Sequence, residues 1–154
     1  MIKKTLTYRD YEGLEHTKDF YFSMNQTEFA LMNNRLPGGF EFYLQKIQQD
    51  HDETKLLELL TMFIVEGYGE RMMEGLGFSK EDLQGRKLGK LFLSTEACDN
   101  LITELLEKED NLGAFLIGML PASVQGNVRE GLKQAQAQAN GENVVPMPVQ
   151  GDVK

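Results

Sequence analysis

The chain has 154 residues, 41% of them hydrophobic, and a formal net charge of −8 from 24 acidic and 16 basic side chains. That length fits one domain with a real core, and an acidic chain without a dense Lys/Arg cluster lacks the counterion release that drives nucleic-acid binding. Cys98 is the one cysteine, so no intrachain disulfide is possible; the N-terminus has no signal-peptide stretch and no apolar run approaches membrane-spanning length, which reads as a soluble intracellular protein with no membrane partner.

Residues Ile2 to Tyr8 alternate, with Ile2, Lys4, Leu6 and Tyr8 on one face, and predict a strand. Asp10 to Leu14 supplies turn chemistry, and His16 to Phe22 alternates again with Phe20 and Phe22 on one side and Tyr21 on the other, giving a hairpin. Two strands alone are marginal in water, so their aromatic face must lie on helices or on another copy's sheet. His16 reads as a solvated side chain among charged neighbours.

A helix then starts with two devices at once. Asn25 is placed to cap it, Glu28 to return a bond to the Asn25 amide, and Met24 with Phe29 to form a hydrophobic staple. It is expected to run to about Asn33 and to break in Asn34 to Gly39 (NRLPGG). Phe40, Tyr43, Leu44 and Ile47 mark a second amphipathic helix ending in Asp50-His51-Asp52-Glu53; Asp52 suits the N-cap of the next helix better than it suits a metal site, and no metal ligand is assigned.

That next helix, Lys55 to Glu66 (KLLELLTMFIVE), is the candidate core. Leu56, Leu59, Leu60, Phe63 and Ile64 recur at helical spacing, while Leu57, Met62 and Val65 widen the stripe. A helix apolar on most sides must be buried on most sides, unless part of its breadth faces another chain. It runs into a knuckle, Gly67 to Arg71, followed by a loop-like Met72 to Gly77.

Phe78 to Leu83 offers a short helix capped by Ser79 with Asp82 at the reciprocal position, and Gln84 to Lys90 (QGRKLGK) reads as a basic, solvated loop. Leu93-Ser94-Thr95 opens a helix on which Cys98, Leu101, Ile102, Leu105 and Leu106 share one face. Asp110 or Asn111 is then expected to cap a final compact helix, Leu112 to Leu120, closed by Pro121, in which Gly113 and Gly118 allow close approach of a neighbour. Beyond Pro121 a thin stripe of Val124, Val128 and Leu132 is too weakly apolar to hold itself down, and Asn140 to Lys154 has no period. The fold expected is mainly α with an N-terminal β-hairpin, a small α+β arrangement, with a hairpin-plus-helical domain over 1–121 and a weak helix and mobile tail over 122–154.

Neither His16 nor His51 lies where a nucleophile could use it, and no carboxylate pair is marked by an apolar surround, so the residues provide no catalytic constellation and require no cofactor. What they do provide is apolar helical surface and eight methionines, which suit a protein that handles other proteins' hydrophobic segments.

The order of segments is distinctive: the hairpin and capped helix, a broken second helix, a core helix ending in Gly67-Tyr68-Gly69-Glu70, then Phe78 with Ser79-Lys80, Leu93 to Ala97, and Phe115 to Pro121. This order, over Met1 to Pro121, resembles the tail assembly chaperones of long-tailed phages and prophages of Gram-positive bacteria. The resemblance implies a mostly helical, non-enzymatic protein of the bacterial host cytoplasm. It would bind the long hydrophobic tape measure protein, keep it soluble, promote tail tube assembly and be absent from the mature virion. The tail tube protein and further copies of the chain are the other partners expected, and a structural tail or neck subunit of the virion is the alternative role. Apolar positions expected to meet the partner are Phe40, Tyr43, Leu44, Ile47, Tyr68, Leu101 and Leu105.

Overall fold

In the computed structural model, which describes residues 1–72 and 77–140, the hairpin joins β1 (Ile2–Arg9) to β2 (Glu15–Phe22) in antiparallel register, Ile2 opposite Phe22 and Arg9 opposite Glu15. Asp10 closes the turn by accepting the Glu12 and Leu14 amides, each at 2.9 Å. The sheet does not stop at two strands. The knuckle after the core helix is β3 (Tyr68–Arg71), which pairs antiparallel with the end of β2, and β4 (Phe78–Ser79) pairs with β3, giving the order β1-β2-β3-β4.

Seven helices accompany the sheet among the described residues: α1 (Gln26–Arg35), α2 (Phe40–Asp50), α3 (Glu53–Gly67), α4 (Leu88–Phe92), α5 (Glu96–Glu107), α6 (Glu109–Met119) and α7 (Ala122–Asn140). The capping box forms as the residues require, with the Glu28 amide donating to Asn25 Oδ1 at 2.8 Å and the Asn25 amide donating to Glu28 Oε1 at 2.9 Å. Asp52 caps α3 and Thr95 caps α5. His51, between α2 and α3, takes the left-handed conformation that ends α2 (φ 52°).

The core is one cluster with α3 at its centre: Leu59, Leu60, Phe63 and Ile64 are buried. Against them lie Phe40, Leu44 and Ile47 of α2, Leu101 and Leu105 of α5, and Phe115 and Leu116 of α6. The aromatic face of the hairpin lies on helices of the same chain. Phe22 meets Phe115 at 5.1 Å and Phe92 at 5.8 Å between ring centroids, and Phe20 meets Phe92 at 5.2 Å.

Four expectations are corrected. Phe78 to Leu83 is not a helix, because Phe78 and Ser79 pair with β3 and Asp82 organises a turn instead: its Oδ1 accepts the Gln84 amide at 2.9 Å and the Arg86 amide at 2.8 Å, bonds that compete with helix formation. The basic segment is a loop only in its first half; Leu88–Phe92 is α4, whose Phe92 is buried. The helix before Pro121 begins at Glu109 after Lys108, with no side-chain cap, so Asp110 and Asn111 lie inside its first turn. Of the two glycines in it, Gly118 faces the Ile2 side chain, with 3.1 Å between Ile2 Cδ1 and the position of an added Cβ, whereas Gly113 has nothing within 4 Å. Residues 73–76 of the expected loop and 141–154 of the expected tail lie outside the described residues.

The segment after Pro121 has a definite seat. α7 packs on α2 and α6, Val128 is buried, Val124 and Leu132 lie against the core, Gln26 Nε2 donates to Ser123 Oγ at 2.6 Å, and Gly131 abuts the Glu41 carboxylate. Burying one full valine or leucine side chain is worth about 1.5–3 kcal/mol. Ending the chain at Pro121 is therefore expected to lower the melting temperature by roughly 4–8 °C, from a loss of about 2 kcal/mol. Differential scanning calorimetry of the two lengths checks this, and equal melting temperatures would mean that α7 adds nothing to the core.

Candidate partner-binding surface

The seven apolar positions singled out for a partner fall mostly in the core. Phe40, Leu44, Ile47, Tyr68, Leu101 and Leu105 are buried, and Tyr43 is partly buried against the same cluster. They come together in pieces. Ile47 and Leu105 form the floor of a groove of about 350 Å³ framed by the end of α2, the start of α3, the end of α5 and the start of α6. Leu56 and Leu112 complete its apolar lining, and Leu57 and Leu106 stand on its lip at 40% and 44% exposure. Leu101 and Leu44 do not line it and are buried in the core cluster.

Periodicity points to the buried stripe, and for that reason it passes over the exposed leucines beside it. On α3 the buried line runs through Leu59, Leu60, Phe63 and Ile64, and Leu57 falls off it. On α5 the buried line is Cys98, Leu101 and Leu105, and Leu106 falls off it. The readable signal was the excess width of the stripe, since a leucine beside a complete core face has nothing in its own chain to cover it. The face continues up α3 through Thr61 and Met62, beyond Leu57.

Tyr68 belongs to a different place. Its ring stacks on Phe92 at 4.6 Å and 19° and forms the wall of a smaller cleft, about 250 Å³, under the hairpin with Tyr8, Lys18, Glu70 and Leu91. Burial, then the neighbouring Glu70 carboxylate, raises the Tyr68 phenol well above its ordinary value. Tyr8 stacks on His16 at 5.6 Å, and His16 Nε2 lies 2.7 Å from Asp10 Oδ2, so His16 is tied into the hairpin turn.

The polar interactions near β4 are structural in kind. Lys80 Nζ donates to the Ser23 carbonyl at 2.5 Å, to Glu28 Oε1 at 2.7 Å and to the Glu66 carbonyl at 2.8 Å, binding the segment after β4 to α1 and α3. Lys87 pairs with Glu66 at 2.7 Å and Arg86 with Asp82 at 2.7 Å, so much of the basic segment's charge is answered locally. Among the described residues no group of three or more His, Cys, Asp or Glu side chains converges as a metal site, and no helix is long and apolar enough to cross a membrane.

Cys98 is buried, and burial, with Asp99 adding to it, pushes its thiol from 9.0 up to about 11. The folded protein is expected to resist iodoacetamide at pH 8 and to be alkylated only when denatured, since the thiolate is the nucleophile. The same shift sets a sign for stability. The folded state keeps protons on Cys98 and Tyr68 that the unfolded chain releases above about pH 9, so stability falls as pH rises through that range. Urea titrations at pH 7 and pH 10 check it, and equal or greater stability at the higher pH would contradict the assignment.

A mainly helical body with a net charge of −8 and an open apolar groove has the features of a protein that holds other chains. Residues 1–149 match the phage tail assembly chaperone family, and the chain belongs to that family. Membership implies a non-enzymatic role in building phage tails. No curated protein and no solved structure matches it.

Proposed function

We propose that this protein binds the tape measure protein of its phage, keeps that long helical chain soluble, promotes assembly of the tail tube around it, and is absent from the mature virion. Family membership supports the setting. The observation that carries the reading is the groove with Leu57 and Leu106 on its lip: exposed apolar surface between helices, the kind of surface on which an amphipathic helix docks. The net charge of −8 suits a keeper that must hold an aggregation-prone cargo in solution. The reading places the protein in the cytoplasm of a Gram-positive host, acting as several copies along one tape measure chain and handing over to the tail tube protein.

Co-expression tests it directly. The soluble yield of the tape measure protein is expected to rise and the two are expected to purify together, with binding that survives moderate salt because burial rather than charge drives most of it. Mass spectrometry of purified phage particles is expected to find none of this chain. A tape measure protein that stays insoluble and never co-purifies, together with this chain in mature particles, would replace the chaperone with a structural tail or neck subunit.

A further inference from the structure

The groove has a charge pattern that the apolar lining alone does not require. Asp52 and Glu53 line it, and the α5–α6 junction that frames its other side exposes Glu107 and Asp110. Across the two framing segments, 50–58 and 105–112, the only lysines or arginines are Lys55 and Lys108, and His51 is the one other basic side chain, on the groove lining itself. Asp50 is answered by Lys46 at 3.5 Å and Asp52 caps α3, but no ion pair among the described residues involves Glu53, Glu107 or Asp110. Carboxylates around an apolar slot repel an acidic occupant and attract one whose apolar stripe is bordered by lysine or arginine.

We propose that this groove selects a basic amphipathic helix. Leucine- or methionine-type side chains of the occupant pack between Leu57 and Leu106 over Ile47 and Leu105, while its flanking Lys or Arg side chains meet Glu53 on one lip and Glu107 and Asp110 on the other. The inference rests on the chaperone reading for the name of the partner, in which case the contacted part of the tape measure protein is a lysine- or arginine-bordered helix. Charge decides against the two occupants nearest to hand. A second copy of this chain brings its own excess of carboxylates, and residues 141–154 carry Glu142 and Asp152 against Lys154.

Two synthetic helices, each roughly five turns long so that they hold their shape, share one leucine pattern and differ only in carrying lysine or glutamate on the flanks. Fluorescence anisotropy in low salt is expected to show the lysine helix binding at least about ten-fold tighter than the glutamate helix, with the margin shrinking as salt screens it. The Leu57→Asp, Leu106→Asp double variant, which alters exposed positions, is expected to keep the melting temperature and lose at least about ten-fold in affinity for the lysine helix. In Glu53→Lys, Asp110→Lys the preference between the two helices is expected to reverse. Equal binding of both helices, or lysine-helix binding unchanged by the Leu57 and Leu106 changes, overturns the proposal. So does a wild-type chain that self-associates in sedimentation while the leucine variant is monomeric, because the occupant is then a second copy. The tape measure protein separates this inference from the chaperone reading. Capture by wild type and equally by the leucine variant sinks the groove and leaves the chaperone standing. A groove that takes the lysine helix in a protein that never captures the tape measure chain has the reverse meaning.

Discussion

Replacing Phe22 with alanine is expected to destabilise the protein by about 4 kcal/mol, within the range for emptying a buried phenylalanine site, and to lower the melting temperature by roughly 8–16 °C for a domain of this size. Phe22 is fully buried, the last residue of β2, and pairs with Tyr68 of β3. Its ring touches one aromatic from each of three other elements: Tyr68 at 5.5 Å, Phe92 at 5.8 Å and Phe115 at 5.1 Å. The chain leaves the strand immediately afterwards through the Ser23 amide to the Gly67 carbonyl at 2.9 Å and the Met24 amide to the Met119 carbonyl at 2.8 Å. The ring thus plugs the seam where sheet, α3 and α6 meet, and a void there has rigid walls on every side, so collapse recovers little. Phe22→Leu keeps most of the volume and is expected to cost under about 2 kcal/mol. Urea denaturation of both variants gives the comparison. A loss below about 1 kcal/mol for alanine would mean that the sheet is held to the helices elsewhere.

What could be read from the residues divides by the range of the interactions involved. The hairpin, the Asn25 and Glu28 capping box and the α3 stripe depend on neighbours within a few positions, and all three stand in the structure as the pattern implies. β3 depends on a partner far away, and β4 depends on β3. Tyr68 pairs with the distant Phe22, β4 forms only on β3 through Phe78 opposite Arg71, and neither four residues nor two can show an alternation of their own. α4 hid behind Gly89 and three basic residues because its stability comes from packing Phe92, not from helix propensity. The proposed groove is only partly legible: Ile47 and Leu105 of the expected positions line it, while Leu57 and Leu106 are not among them. An amphipathic face identifies the side that is buried, and here six of the seven positions expected to meet a partner are covered by their own chain. Leu57 and Leu106 are exposed because the core face beside each is already complete.

Gly89→Ala is expected to be strongly destabilising, although it adds a single methyl within a helix. Taken alone, alanine for glycine in a helix stabilises by about 1 kcal/mol. Here a Cβ at position 89 would run into the Val65 carbonyl oxygen and lie 2.7 Å from Val65 Cα and 2.8 Å from its carbonyl carbon. Those are backbone atoms of the central helix α3, so no rotamer change relieves the overlap, and α4 has to move instead. Moving it breaks the Phe92 stack on Tyr68 and loosens Phe92 from Phe20, contacts that seat the five-residue helix. The clash therefore outweighs the propensity gain, with a net loss of about 2–3 kcal/mol, at the upper end for overpacking, and a melting temperature lower by roughly 4–12 °C. Gly113→Ala is the matched control, since it also lies within a helix but has nothing within 4 Å of an added Cβ. It is expected to raise stability by about 0.5–1 kcal/mol. Near-ultraviolet circular dichroism, sensitive to the setting of Tyr68, is expected to change for Gly89→Ala and to stay as it is for Gly113→Ala. Equal melting temperatures for the two variants would mean that α4 does not approach α3 through Gly89.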